Sequence, residues 1–110
     1  MVEYSLSLDS LFYSLSDSTR RDMLRLLRIY DNMTISQIAI HYKMTFAGAA
    51  KHLSVLESAQ LIRKRKKGRT QIVSLSPAAF KEMSSYLEGY RDMWEARFNR
   101  LDTLLNKKEN

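Results

Sequence analysis

Apolar residues recur at helical spacing along most of this chain, and one short stretch breaks the pattern by alternating. Leu8, Leu11, Phe12 and Leu15 fall at i, i+3, i+4 and i+7, which predicts a first helix of about two turns with those four on one face. Ser16-Asp17-Ser18-Thr19 supplies N-cap oxygens for a second helix. Within it Met23, Leu24, Leu26, Leu27 and Tyr30 form a wide apolar stripe, and Arg20, Arg21, Arg25 and Arg28 are expected in water. Thr34-Ile35-Ser36-Gln37 reads as a capping box for a short third helix carrying Ile35, Ile38, Ala39 and Tyr42. Thr45 then starts a fourth helix, about residues 45–58, with Ala49, Leu53 and Leu56 facing inward. Two short helices joined by a tight turn predict a helix-turn-helix, whose second helix is the one shaped for a major groove.

The period changes at Ile62. Ile62–Lys67 and Thr70–Leu75 are strand-length runs, and Gly68-Arg69 between them offers the positive φ that a two-residue hairpin turn needs. Ser76-Pro77 restarts a helix, and from there to about residue 106 only Gly89 weakens it. Phe80, Met83, Leu87, Tyr90, Trp94, Phe98, Leu101 and Leu105 step by three or four along that segment. At roughly 40 Å the stripe is too long for so small a core to cover, so its far half needs another surface. The expected fold is a single domain over residues 1–110, mainly α with a small β-hairpin. It is a winged helix-turn-helix of about five helices, with a two-stranded wing at about 62–75 and a C-terminal helix at about 77–106.

Charge sharpens this picture. Residues 51–76 hold seven Lys/Arg against one acid, Glu57, and so account for the whole net charge of +6; the flanking segments are each balanced. A positive patch this local beside a helix is the footprint of a nucleic-acid binder. Composition then removes other classes. With no Cys there are no disulfides, thiolate metal sites or cysteine redox switches. Three Gly and one Pro argue against a turn-rich all-β fold. The N-terminal stretch carries an early acid and lacks a cationic leader, so it does not read as a signal peptide, and no apolar run approaches the roughly 20 residues of a membrane span. The expectation is a soluble, cytoplasmic protein with no membrane contact and no cofactor.

The residues from Leu15 to Leu24 resemble the opening "L-x-D-P-T-R-x-x-I-L" stretch of the ArsR-type winged-helix transcription regulators, with Ser18 where Pro is usual. Lys51 to Ile62 is similar to that family's most specific motif, the end of the recognition helix, with Gln60 where Gly is common. The wing fits as well, and Tyr90-Arg91-Asp92-Met93-Trp94 resembles a branch with a Trp-bearing last helix. The resemblance implies a homodimer built from the first and last helices, binding a palindromic operator in double-stranded DNA and usually repressing. Leu8, Leu11 and Leu15 would then meet Tyr90, Trp94, Phe98, Leu101 and Leu105 across a two-fold axis, covering the long stripe. Many members carry a metal-binding Cys pair in the third helix; Thr34 and Ser36 stand there in this chain, and neither is a soft ligand. Other members use Asp, His and Glu at the dimer helix, yet the only histidines, His41 and His52, lie elsewhere. Metal sensing is therefore not expected, and an effector, whether small molecule or protein, is left open.

Thr45, Phe46, Ala47, Gly48 and Ala50 are the candidates to face base edges, and Lys51, Arg63, Arg65, Lys66, Lys67 and Arg69 the candidates to hold phosphates. Phe46 and Ala50 stand where the family often has polar residues, so apolar contact with thymine methyl groups is expected in their place. His52 is evenly balanced between DNA contact and local packing. The basic run could also be a solvated edge strand, since Lys discourages sheet-to-sheet pairing, but the hairpin has no compensating acid and follows a helix-turn-helix. No nucleophile and base, phosphate-cradling Gly loop or metal constellation suggests an enzyme. The alternative to a sequence-specific regulator is a nonspecific, chromatin-like DNA protein.

Overall fold

The computed structural model describes the backbone of residues 2–109 and the side chains of residues 8–107. The elements are α1 (Val2–Ser14), α2 (Ser18–Tyr30), β1 (Met33–Thr34), α3 (Ile35–His41), α4 (Phe46–Ser58), β2 (Ile62–Lys67), β3 (Thr70–Leu75) and α5 (Pro77–Glu109). The chain forms two units, residues 1–80 and residues 81–110. In the first, Leu11, Met23, Leu27, Ile38, Leu53, Leu56, Leu61, Ile62 and Val73 are each at most 2% exposed. Those residues come from α1, α2, α3, α4, the α4–β2 connection and the hairpin, so one apolar core ties the whole helix-turn-helix to the wing. The second unit is a helical segment on its own.

Local signals set the helix starts. Asp17 Oδ2 accepts from the Arg20 amide at 3.0 Å and caps α2. At α3 the capping box closes, with the Gln37 amide donating to Thr34 Oγ1 at 3.1 Å and the Thr34 amide donating to Gln37 Oε1 at 2.9 Å. Thr45 Oγ1 accepts from the Gly48 amide at 3.0 Å and opens α4. The hairpin closes through Gly68 at φ 64°, with Lys67 opposite Thr70 and Ile62 opposite Leu75.

Four expectations need correction. The wing belongs to a three-stranded sheet of order β1-β3-β2, in which Met33 pairs with Val73 and Thr34 with Ile72. A two-residue strand is too short for any period to announce it. Helix α1 is longer than two turns and ends at Ser14, leaving Leu15 in the turn; the edge it buries is Leu11 with Ser14, whose hydroxyl donates to the Leu11 carbonyl at 2.8 Å, and Phe12 is exposed. Leu11 is fully buried inside its own protomer, so it has no surface to offer a dimer partner, whereas Leu8 and Leu15 are half-buried. Tyr30 is 61% exposed and lies outside the α2 stripe, which ends at Leu27.

The fourth correction concerns Arg20, which is buried at 9% exposure. Its Nε donates to the Ser14 carbonyl at 2.7 Å and its Nη2 to the Tyr13 carbonyl at 3.0 Å, with the guanidinium 5.3 Å from the Tyr13 ring centre. The side chain thus gives the Ser14 carbonyl a donor at the end of α1 and adds one to the Tyr13 carbonyl, which also accepts from the Ser16 amide at 3.1 Å. R20Q keeps a donor but cannot span both carbonyls, and it is expected to cost roughly 2–3 kcal/mol in chemical denaturation.

A second polar tie joins the helices. The Tyr42 hydroxyl donates to Asp22 Oδ2 at 2.6 Å, and Arg25 pairs with Asp22 Oδ1 at 2.8 Å. The Tyr42 bond first and the Arg25 bond second hold the Asp22 carboxyl below its ordinary value of 3.8. Asp17 is held low as well, chiefly by the Arg20 amide. Both carboxylates are more acidic folded than unfolded, so their stabilisation is complete above pH 3.8 and disappears as pH falls below it. Y42F is expected to raise the Asp22 pKa in a carboxyl NMR titration and to reduce the loss of stability between pH 4 and pH 2, about the range over which such groups protonate.

Candidate nucleic-acid interface

The start of α4 is apolar and uncovered. Thr45 and Ala47 are exposed, Phe46 is 56% exposed, and Gly48 and Ala50 are half-buried. Ala49, Leu53 and Leu56 on the opposite side are fully buried, so packing fixes which face of the helix points outward. A Cβ at Gly48 would lie 3.1 Å from Thr45 Oγ1, the atom that caps the helix, so Gly eases a tight contact there. Lys51 continues the exposed face one turn on.

The wing tip comes back to this helix end. Phe46, Arg69, Thr70 and Gln71 line one cleft of about 150 Å³ together with Thr34 and Ser36 from the start of α3. Lys66, Lys67 and Arg69 are all exposed, and none forms an ion pair among the described residues. Unpaired cations beside an apolar helix start can hold a phosphate backbone and set the helix against base edges.

Other residues of the basic stretch are not in that cluster. Strand alternation divides β2 between two faces. Ile62 and Lys64 share the face of Val73 and Leu75, and there Lys64 Nζ lies 3.5 Å from Glu57 Oε1 and 3.5 Å from Ser54 Oγ of α4. Arg63 and Arg65 lie on the other face, lining a separate groove with Asp31 and Asn32. His52 is turned toward α2, its Nδ1 3.9 Å from Asp17 Oδ2, which favours the packing reading of that residue over DNA contact.

Two relatives resemble this chain in sequence. The chain is 30% identical over 80 residues to the transcriptional repressor SdpR of Bacillus subtilis, covering 73% of this chain and 88% of that one. It is 32% identical over 81 residues to the HTH-type transcriptional regulator YuzN of the same organism, covering 68% and 88% respectively. The family model for bacterial regulatory proteins of the arsR family matches residues 17–64. The chain belongs to the ArsR family. Among solved structures, an ArsR-like transcriptional regulator from Rhodococcus sp. RHA1 superposes with a TM-score of 0.71 at 27% identity, over 91% of this chain and 93% of that one.

The protein is thus a DNA-binding transcription regulator with a repressor among its relatives, and its fold is the winged helix-turn-helix. The ArsR match runs from Asp17, the α2 cap, to Lys64, in the first strand of the wing, so it spans the helix-turn-helix. Ser36, Thr70 and Gln71 join Phe46 in the cleft without having been candidates from the sequence. Register was a signal for Gln71 alone, which shares a strand face with Val73. No helix among the described residues is long and apolar enough to cross a membrane, and no group of three or more metal-ligating side chains occurs among them.

Proposed function

We propose that this ArsR-family regulator binds a palindromic operator as a homodimer, represses from it, and does not use a metal as its signal. The observation that carries this reading is the meeting of Phe46, at the apolar α4 start, with Arg69 of the wing turn, unpaired among the described residues, at one cleft. Thr45, Phe46, Ala47, Gly48 and Ala50 face base edges, and Lys51, Lys66, Lys67 and Arg69 hold phosphates. Phe46 and Ala50 have no donor or acceptor beyond the backbone, so they read thymine through its methyl group.

The dimer rests on the second unit. Tyr90, Trp94, Phe98, Leu101 and Leu105 are each about half exposed, at 48–58%. Trp94 stacks on Phe98 at 6.0 Å between ring centres, making one continuous apolar strip for a partner helix. Two recognition helices tied together in this way meet half-sites about one turn, or 34 Å, apart. Metal-independence rests on Thr34, whose oxygen is engaged in the α3 cap, and on Ser36, which is not a soft donor.

Selection from a pool of random duplexes in excess competitor DNA tests the reading. Recovery of an inverted repeat containing A·T pairs is the expected result, with weaker binding when uracil replaces thymine throughout. Recovery of no common sequence would contradict operator recognition, and unchanged affinity with uracil would remove the role given to Phe46 and Ala50.

A further inference from the structure

The face of the wing turned away from Lys64 carries a separate feature. Arg63 and Arg65 stand two residues apart on β2, opposite Ser74 and Ile72 of β3. They line a groove of about 410 Å³ that is completed by Asp31 and Asn32 at the end of α2 and by Leu27, Ser74 and Leu75. A groove of that size is within the range of small-ligand sites. Neither guanidinium is ion-paired or hydrogen-bonded among the described residues, and the Asp31 carboxylate in the same groove is unpaired too. Asp31 also holds φ at 40°, a positive φ that ends α2 as those of Lys43 and Gln60 follow α3 and α4.

We propose that this groove binds a small phosphate-bearing anion, free phosphate or a phosphate monoester, with Arg63 and Arg65 as its clamp and Asp31 as its selector. Two guanidiniums against one carboxylate leave the groove cationic, and each planar fork matches two oxygens of a phosphate. Asn32 and Ser74 can add donors. Asp31 accepts hydrogen bonds and cannot donate them, so it favours an anion with a proton or hydroxyl to give. Hydrogen phosphate has one. Sulfate and the phosphodiesters of a DNA backbone have none, which sets this groove apart from the DNA surface at Phe46 and Arg69. Resting on the DNA-binding reading, the proposal assigns the groove a regulatory effect: an occupied groove neutralises two wing cations and weakens DNA binding, and DNA weakens anion binding by the same factor.

Titration of the DNA-free, ¹⁵N-labelled protein with sodium phosphate, and separately with sodium sulfate, tests the site when chloride keeps ionic strength constant. Arginine Nε–Hε resonances are read, with R63Q and R65Q assigning the two groove signals. Saturable shifts confined to Arg63 and Arg65 are expected, with phosphate binding about tenfold more tightly than sulfate. D31N, which keeps a side chain suited to positive φ, should abolish that preference. R28Q, on the exposed side of α2 outside the groove, should leave it intact. Linear shifts shared by Arg28 and other surface arginines, or sulfate binding as tightly as phosphate in the unaltered chain, would overturn the site. The test needs no DNA, so its failure is distinct from failure of operator binding. In a second arm, saturating phosphate should lower affinity for the selected duplex several-fold in the unaltered chain and not in the R63Q/R65Q variant. Equal effects on both, or none, would overturn the regulatory assignment.

Discussion

Changing Trp94 and Leu101 together to glutamate is expected to turn the dimer into monomers and to lower operator affinity about 100-fold or more. Both side chains are about half exposed in the single chain, at 48% and 52%, so the protomer loses little when they change. A partner helix would lose a great deal, because two carboxylates per protomer would have to enter an apolar contact in which, among the described residues, only Arg97, 5.1 Å from the Trp94 ring centre, is at hand to pair them. The affinity loss follows from linkage. When two recognition helices are joined, the second half-site is bound as an intramolecular event, and breaking the link forfeits a factor of about 10²–10⁴. Sedimentation and fluorescence anisotropy read the two effects, and a native-like circular dichroism spectrum with cooperative melting shows that the protomer still folds. A variant that remains dimeric would place the interface elsewhere.

The second large effect belongs to the wing. K66A/K67A removes two phosphate contacts per protomer, four per dimer, and each contributes about 0.9 to the slope of log K against log salt. The slope should therefore become shallower by about 3–4, and affinity should fall across matched and mismatched duplexes alike. Neither lysine is ion-paired among the described residues, so no internal partner is stranded and stability should hardly change. An unaltered slope would mean that the wing does not touch the backbone.

The helix-turn-helix was legible because its signals are local. Asp17, Thr34 with Gln37, and Thr45 each cap a helix through oxygens a few bonds away, and each cap is where the spacing placed it. The Gly68-Arg69 hairpin was legible for the same reason. What escaped depends on chain segments meeting in space. Arg20 looks like one more cation on an amphipathic helix until the end of α1 brings the Tyr13 and Ser14 carbonyls to it. Leu11 shares a spacing with Leu8 and Leu15, and only the packing of α1 shows that it is spent inside the protomer. Strand β1 exists because β3 has a free edge for Met33 and Thr34, a fact no two-residue window contains.

The basic stretch was legible as a charge and not as a surface. Counted together, its cations suggest one patch. Folded, they separate into a tip beside Phe46, a Lys64 held by Glu57, and an arginine pair across the sheet beside Asp31. The period-two alternation of β2 contained that division in advance, but assigning each face needed the buried Val73 and Ile62 to say which side packs inward.

The central claim is that this regulator reads sequence, and the ratio of its affinities for the selected inverted repeat and for a scrambled duplex of equal composition, at one fixed salt concentration, tests it most directly. Operator recognition predicts a ratio of about 10³ or more. A ratio within tenfold of one, at about physiological salt, would instead describe a protein held on DNA by its charge alone.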